Sequence, residues 1–94
     1  MNFEWDEQKN QAHIKKHGLD FGDAHKMFDY PMILNLDKRK DYGEDRWIGI
    51  GLIDLRVVVI VFTEPDVDTI RVISLRKAIS YERKYYEKAY KNRF

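Results

Sequence analysis

The run VVVIVF at residues 57–62 constrains the fold more than any other feature of the chain, because five of its six residues are β-branched. Branched side chains pack well on a pleated sheet, so the run favours a β-strand. Apolar residues at every position predict a strand that is covered on both faces. We therefore expect residues 56–63 to form a central strand. The run is far too short to cross a bilayer.

Further segments with the composition of strands predict a sheet around this central strand. They are residues 32–36, 46–52 and 69–75. In the second segment Trp47 alternates with two glycines, so one face carries a ring beside two bare backbone positions, where another group can approach closely. Polar connections and turns separate the strands. The short connections predict a four-stranded antiparallel meander.

Helix-capping residues predict three helices outside the sheet. Asp6 and Gly18 bound a first helix, and Asp20 opens a second. Ser80 caps a third helix, from residue 81 to about residue 93. The chain is thus predicted to have an α+β fold, with two N-terminal helices, a four-stranded antiparallel sheet and a C-terminal helix. Helices would cover one face of the sheet and leave the other partly open.

Composition indicates one globular domain, residues 1–94, whose positive charge is concentrated at one end. Residues 71–94 contain eight Lys and Arg against two Glu, whereas residues 1–70 contain nine against fourteen acids. This asymmetry is typical of a surface for a polyanion or an acidic partner, although a solvated C-terminal helix gives the same count. The chain has no Cys, and its first residues do not resemble a signal peptide. We expect a cytoplasmic protein that does not contact the membrane.

The segment RVISLRKA, residues 71–78, carries the charges that most suggest a site. Regular alternation puts Ser74 and Arg76 on one face of the strand and Arg71 on the other. If the strand ends at residue 75, Arg76 and Lys77 lie in a turn and can flank a phosphate. The alternative is structural, with Arg71 paired to Glu64 or Asp68 and Arg76 paired to an acid such as Asp6.

His17 is the candidate for proton transfer, because it titrates near neutrality and follows Lys16 at a helix end. A cation at that position is equally well explained by the helix dipole. Arg46 follows an acidic stretch, where it can clamp a phosphate or neutralise Glu44 and Asp45. His13 and His17 have no third ligand at a suitable spacing, so we predict no metal site.

Tyrosines recur along the last predicted helix and have two interpretations. Tyr81, Tyr85 and Ala89 lie on one stripe, with Tyr86 and Tyr90 beside it. Such a stripe packs its rings into a core or offers them for stacking against bases.

The chain lacks a glycine-rich phosphate loop and a nucleophile elbow. Positioned cations and one proton-transfer group are sufficient for RNA cleavage by the RNA's own 2′-hydroxyl.

Four stretches together resemble one known family across nearly the whole chain. They are FEWDEQKNQAHIKKHGLDF (3–21), AHKMFDYP (24–31), GEDRWIGIG (43–51) and RVISLRKAISYERKYYE (71–87). The W-D-x-x-K-x-x-x-x-x-x-K-H-G spacing and the R-x-I-S-x-R-x-A segment resemble the BrnT toxins of bacterial type II toxin-antitoxin systems. The acidic Thr-Glu-Pro-Asp at residues 63–66 departs from the family, which often has a basic residue and glycine there.

The resemblance implies a RelE-like fold and a metal-independent endoribonuclease that inhibits translation and uses no cofactor. It also implies a BrnA-type antitoxin, which carries the DNA-binding domain and forms a heterotetramer with the toxin. Arg46 and Arg76 would hold the phosphate with support from Arg71, and His17 would transfer the proton, with Glu44 as an alternative base. The expected RNA-binding residues are Lys16, Ser74 and Lys77. The alternative is a non-catalytic toxin that docks on a protein through its basic C-terminal helix.

Overall fold

The computed structural model of the protein describes residues 1–39, 41 and 43–91. The elements in chain order are β1 (Asn2–Trp5), α1 (Glu7–His17), the 3-10 helix η1 (Phe21–Asp29), β2 (Ile33–Leu36), β3 (Trp47–Ile53), β4 (Arg56–Asp66), β5 (Thr69–Lys77) and α2 (Ser80–Ala89). The predicted α+β class is confirmed. In these ranges no helix has the length and apolar character needed to span a membrane.

The sheet has five strands in the order β1-β5-β4-β3-β2, so the predicted four-stranded antiparallel sheet is wrong. Strands β2 to β5 do form an antiparallel meander, but β1 adds a fifth strand parallel to β5. The segment Asn2–Trp5 alternates polar and apolar residues, which is a strand pattern. Its partner lies in the last third of the chain, and local patterns do not specify such distant pairs. The β-branched run forms the central strand, β4, as predicted.

The caps of the first two helices are confirmed. The side chain of Asp6 accepts a hydrogen bond from the backbone N–H of Lys9, and α1 is capped at its C-terminus by Gly18, whose φ of +69° is left-handed. The side chain of Asp20 accepts the N–H of Gly22 at the start of η1. That second helix is a 3-10 helix.

The predicted cap of the last helix is wrong. Ser80 is the first residue of α2, and Ile79 occupies the capping position. The side chain of Glu82 accepts the backbone N–H of Ile79 at 2.9 Å and thereby satisfies a donor at the start of the helix. The helix ends at Ala89, and residue 93, the predicted end, lies outside the described residues.

Helices cover parts of both faces of the sheet, which differs from the predicted single covered face. One face, called the α1 face here, packs against α1 and η1. The buried cluster between this face and the helices includes Leu19, Phe21, Ala24, Met27, Ile53, Val58, Ile60, Phe62, Ile70, Val72 and Leu75. The opposite face, called the α2 face, packs against α2. Its buried cluster consists of Ile50, Leu52, Val57, Val59, Ala78 and Tyr86.

The two glycines of β3 make room for methionines of this chain. A Cβ atom at Gly49 would lie 3.0 Å from Cγ2 of Ile60 and would collide with Sδ of Met32. A Cβ atom at Gly51 would lie 3.2 Å from Cγ of Met32 and 3.3 Å from Cε of Met27. The close approach predicted from the bare strand positions is therefore made by core side chains.

One buried polar residue fixes α1 against η1. The side-chain amide of Asn10 is 2% exposed, and it donates to the Asp20 carboxylate at 3.0 Å. Its Oδ1 accepts the backbone N–H of Phe21 at 2.8 Å. These bonds tie the start of α1 to the start of η1, and the helix carries His17 at its other end.

Candidate functional site

A β-bulge in β5 changes which of its side chains share a face. Val61 of β4 pairs with Ser74, but the next residue, Phe62, pairs with Val72. Ile73 is therefore an extra residue on β5, and it reverses the alternation of side chains along the strand. Val72 and Leu75 are three positions apart, yet both are buried in the same core cluster, which agrees with this reversal.

The bulge brings Arg71, Ser74 and Arg76 to the α2 face. Residues that pair across neighbouring strands point to the same side of a sheet. These three pair with alternate residues of β4, namely Thr63, Val61 and Val59. The prediction that alternation separates the two arginines is therefore wrong, because it assumed a regular strand.

The strand also continues further than predicted. Arg76 pairs with Val59 and Lys77 pairs with Val58, so both residues belong to β5 rather than to a turn after Leu75. Successive strand residues point to opposite faces, so the Lys77 position faces away from the Arg76 position. The predicted pair of neighbouring cations does not share one face.

Arg46 and Arg71 flank Thr63 across three adjacent strands. Arg46 lies just before β3, and its carbonyl accepts the backbone N–H of Asp37 at 2.7 Å. By alternation from Ile48, Arg46 belongs to the α2 face. Two strand spacings separate the backbones of the two arginines, or roughly 10 Å. The Oγ1 of Thr63 is buried and has no hydrogen-bond partner within the described residues.

A carboxylate from β1 orients Arg71. Glu4 is the residue that pairs with Arg71 across the parallel strands, and its Oε2 lies 2.8 Å from Nε and 2.7 Å from Nη2 of the arginine. The alternative prediction paired Arg71 with Glu64 or Asp68, whereas the acid that pairs with it is Glu4. Both side chains are more than 40% exposed, so the pair contributes little to stability and mainly sets the direction of the guanidinium.

A second carboxylate, from α2, orients Arg76. Glu82 accepts two parallel hydrogen bonds from the arginine, Nη1 to Oε1 and Nη2 to Oε2, each 2.8 Å long. The bonds from Arg76 are the main reason that the pKa of Glu82 lies below its ordinary value, and the same bonds raise the pKa of Arg76. The alternative prediction paired Arg76 with an acid such as Asp6, whereas the acid that pairs with it is Glu82.

Arg39 lies near this arginine and is a residue that sequence reasoning missed. Its guanidinium forms two hydrogen bonds with the buried carboxylate of Asp37, at 2.8 and 2.7 Å. The charge of Arg39 opposes the bond from Glu82 that raises the pKa of Arg76. Because Arg39 belongs to a polar connection, its sequence context predicted only an exposed loop.

His17 lies within electrostatic range of Arg76. It is half-buried at the C-terminal end of α1, and its ring centroid is 5.6 Å from that of His13. Burial is the main cause that lowers the pKa of His17, and the charges of His13, Lys16 and Arg76 add to it. A lowered pKa favours the neutral ring at pH 7, which can accept a proton.

The remaining predicted residues lie in different parts of the fold. Lys16 is exposed in the last turn of α1, and Glu44 is exposed just before Arg46. Ser74 is half-buried on the α2 face between the positions of Arg71 and Arg76. Within the part of the chain that the structure describes, His, Cys, Asp and Glu side chains do not gather in any group of three or more that could hold a metal ion.

The fold and these residues define a small α+β protein with an arginine-bearing sheet face, a class suited to polyanionic ligands. Residues 5–82 match the model of the family described as ribonuclease toxin, BrnT, of type II toxin-antitoxin system. The chain belongs to the BrnT family of ribonuclease toxins. As a toxin of a type II system, it pairs with an antitoxin.

A solved structure agrees with this assignment. The chain is similar to the Brucella abortus ribonuclease toxin BrnT, whose crystal structure has a resolution of 1.1 Å, with 33% sequence identity and a TM-score of 0.66. The match covers 85% of this chain and 99% of that one. No curated protein matches the sequence significantly.

Proposed function

We propose that this toxin is a metal-independent endoribonuclease, which cleaves RNA by attack of a 2′-hydroxyl on the adjacent phosphate and thereby inhibits translation. The observation that carries the proposal is the β5 bulge, since it puts Arg71, Ser74 and Arg76 on one face. Arg46, which directly precedes β3, belongs to the same face by alternation. Guanidinium groups bind phosphate with fixed geometry and can stabilise the charge that develops on it.

Each group has a role in this reaction. Arg46 and Arg76 hold the phosphate, and Arg71 supports it. Neutral His17 accepts the proton of the 2′-hydroxyl while the 2′-oxygen forms a bond to phosphorus. The bond between phosphorus and the 5′-oxygen breaks, and that oxygen takes a proton from water. The products are a 2′,3′-cyclic phosphate and a 5′-hydroxyl, and Glu44 is the alternative base.

The two carboxylates fit this proposal as positioning groups. Glu4 and Glu82 each hold one arginine in a set direction before RNA binds. A guanidinium has five N–H donors, so an arginine paired with a carboxylate keeps donors for a phosphate oxygen. Preset donors lose less entropy on binding than flexible ones. Ser74 would contact RNA on the α2 face, and Lys16 and Lys77 would contact it where the RNA leaves that face.

The partner proposed for this toxin is a BrnA-type antitoxin, which neutralises it in a heterotetramer in the cytoplasm. In this arrangement the complex reaches DNA only through the antitoxin. Membership of a type II toxin family supports an antitoxin of this kind. The size of the purified complex, measured by light scattering, would test the heterotetramer.

Cleavage of single-stranded RNA by the purified, antitoxin-free protein would test the reaction. Cleavage should persist in EDTA, and the products should end in a 2′,3′-cyclic phosphate. An oligonucleotide of the same sequence with 2′-deoxy sugars should stay intact, because it has no nucleophile. RNA that stays intact over a broad pH range, while the protein still arrests growth, would reject the nuclease and favour a binding toxin.

Arginine variants would test the proposed site. Arg71→Ala and Arg76→Ala should lose cleavage, while Arg56→Ala, which removes an exposed arginine of β4 outside the proposed set, should not. Melting curves would exclude unfolding as the cause. RNA affinity should fall with salt by about 0.7 log unit per log unit of salt for each phosphate neutralised. Equal cleavage by all three variants would contradict the assignment.

A further inference from the structure

We propose that Tyr81 and Tyr85, on the outward side of α2, form a platform on which two bases of single-stranded RNA stack. The proposal rests on the proposed function, because the RNA is the substrate of that site. It adds a contact with the bases to the contacts with phosphate described above. The rings, their exposure, the charges beside them and their distance from Arg76 each support it.

Tyr81 and Tyr85 are exposed, whereas another tyrosine of the same helix, Tyr86, is buried. Tyr86 is 1% exposed, and its hydroxyl donates to the carbonyl of Pro31 at 2.7 Å. Tyr81 and Tyr85 are 73% and 47% exposed. Core packing therefore accounts for Tyr86 but not for the other two. Two large rings left in water on one helix side are typical of a binding surface.

The geometry of the pair suits stacked bases. The ring centroids of Tyr81 and Tyr85 are 6.4 Å apart, and the ring planes differ by only 9°. Neighbouring bases of a single strand also have nearly parallel planes. Two parallel rings can therefore contact successive bases at once, and stacking tolerates any sequence because every base has a π face.

The charges beside the rings favour a polyanion. Lys84 and Lys88 are exposed, and at 100° per residue they lie on the same side of α2 as Tyr81 and Tyr85. The acidic residues of the helix, Glu82 and Glu87, lie at the two edges of this side, and Glu82 is paired with Arg76. Lysines interleaved with aromatic rings are typical of grooves that bind single-stranded nucleic acid.

The platform is adjacent to the proposed phosphate site. Glu82, which holds Arg76, precedes Tyr85 by three residues, so the Cβ atoms of Glu82 and Tyr85 are about 5–6 Å apart. A strand whose phosphate contacts Arg76 can thus reach the rings within a few nucleotides. The bases would be fixed on α2 while the scissile phosphate lies over the sheet.

The test is binding of a fluorescein-labelled single-stranded RNA whose sugars all carry 2′-O-methyl groups, which prevents cleavage. Fluorescence anisotropy would compare the wild-type protein with the double variant Tyr81→Ala/Tyr85→Ala. Stacking predicts binding weaker by roughly 5- to 150-fold for each ring removed. The matched variant Tyr81→Phe/Tyr85→Phe keeps both rings and should bind as the wild type does. Tyr30→Ala, which removes an exposed ring outside α2, should have no effect.

Abasic nucleotides separate stacking from any other effect of these substitutions. A set of oligonucleotides, each with one base removed, should bind the wild type more weakly at the positions that stack. The alanine variant should be insensitive to base removal at those positions. Melting curves would show that each variant is folded.

Each other result overturns the proposal. Wild-type affinity in the double alanine variant would remove the platform while leaving the nuclease proposal intact. Equal loss in the phenylalanine variant would assign the effect to the hydroxyls instead of the rings. If the alanine variant binds RNA normally but no longer binds the purified antitoxin, α2 is a protein-docking surface. If the wild-type protein binds no RNA, both proposals fail.

Discussion

Replacing Glu82 should destabilise the fold in two separable steps, because its carboxylate has two partners. It pairs with Arg76 through two bonds of 2.8 Å, and it accepts the backbone N–H of Ile79 at the start of α2. Glu82→Gln removes the charge but keeps an oxygen that can cap the helix. Glu82→Ala removes both interactions.

The magnitude follows from the burial of the two partners. The Glu82 side chain is 17% exposed and that of Arg76 is 40% exposed, so water weakens the pair to about 1 kcal/mol. The helix cap contributes about 1 kcal/mol more. The expected losses are therefore about 1 kcal/mol for Glu82→Gln and about 2 kcal/mol for Glu82→Ala. In a domain of this size they lower Tm by about 4–8 °C and 8–16 °C.

Thermal and urea unfolding at several pH values would measure these losses, with Glu87→Gln, an exposed glutamate of the same helix, as the control. Arg76 holds the pKa of Glu82 below its ordinary value of 4.5. The stabilisation is therefore complete above about pH 4.5 and is lost as the pH falls through the folded-state pKa. A loss no larger than that of Glu87→Gln, or one that is unchanged at pH 3, would refute the reasoning.

Three further predictions concern packing, a buried hydroxyl and catalysis. Gly49→Ala should cost about 1–3 kcal/mol, because its Cβ collides with the neighbouring side chains, and Gly51→Ala should cost less; urea unfolding with the reverse order would contradict this. Tyr86→Phe should cost about 1 kcal/mol, since the Pro31 carbonyl loses its donor; an unchanged free energy of unfolding would contradict it. RNA cleavage should fall in acid with an apparent pKa below 6.5, because burial foremost lowers the pKa of His17 and its neutral ring is the acceptor. A profile with the same acid limb in His17→Gln would exclude this role.

Local signals determined the parts of the fold that depend on neighbouring residues. The run at residues 57–62 specified the central strand, because β-branched side chains favour a sheet wherever it forms. Asp6, Gly18 and Asp20 specified helix ends, since capping involves atoms only a few residues apart. Ser80 failed as a cap because the helix begins one residue earlier than predicted, at Ser80 itself, so that Ile79 occupies the cap position.

The candidate site was predictable as a set of residues but not as an arrangement. The RVISLRKA segment predicted Arg71, Ser74 and Arg76 as site residues. The assumption of regular alternation then wrongly placed the two arginines on opposite faces of the sheet. Periodicity cannot show a bulge, because Ile73 is an extra residue only relative to its partner strand. The acids that orient the arginines were also missed.

What the sequence by itself determined is the class of fold, the central strand, the first helix ends and the residue types of the site. The resemblance to BrnT toxins followed from motifs at fixed spacing. Only the tertiary structure decided that Asn2–Trp5 joins the sheet beside β5 and that Glu4 and Glu82 hold the two arginines. The physical reason is range: capping and periodicity act within a few residues, whereas strand register, bulges and ion pairs arise when distant segments meet.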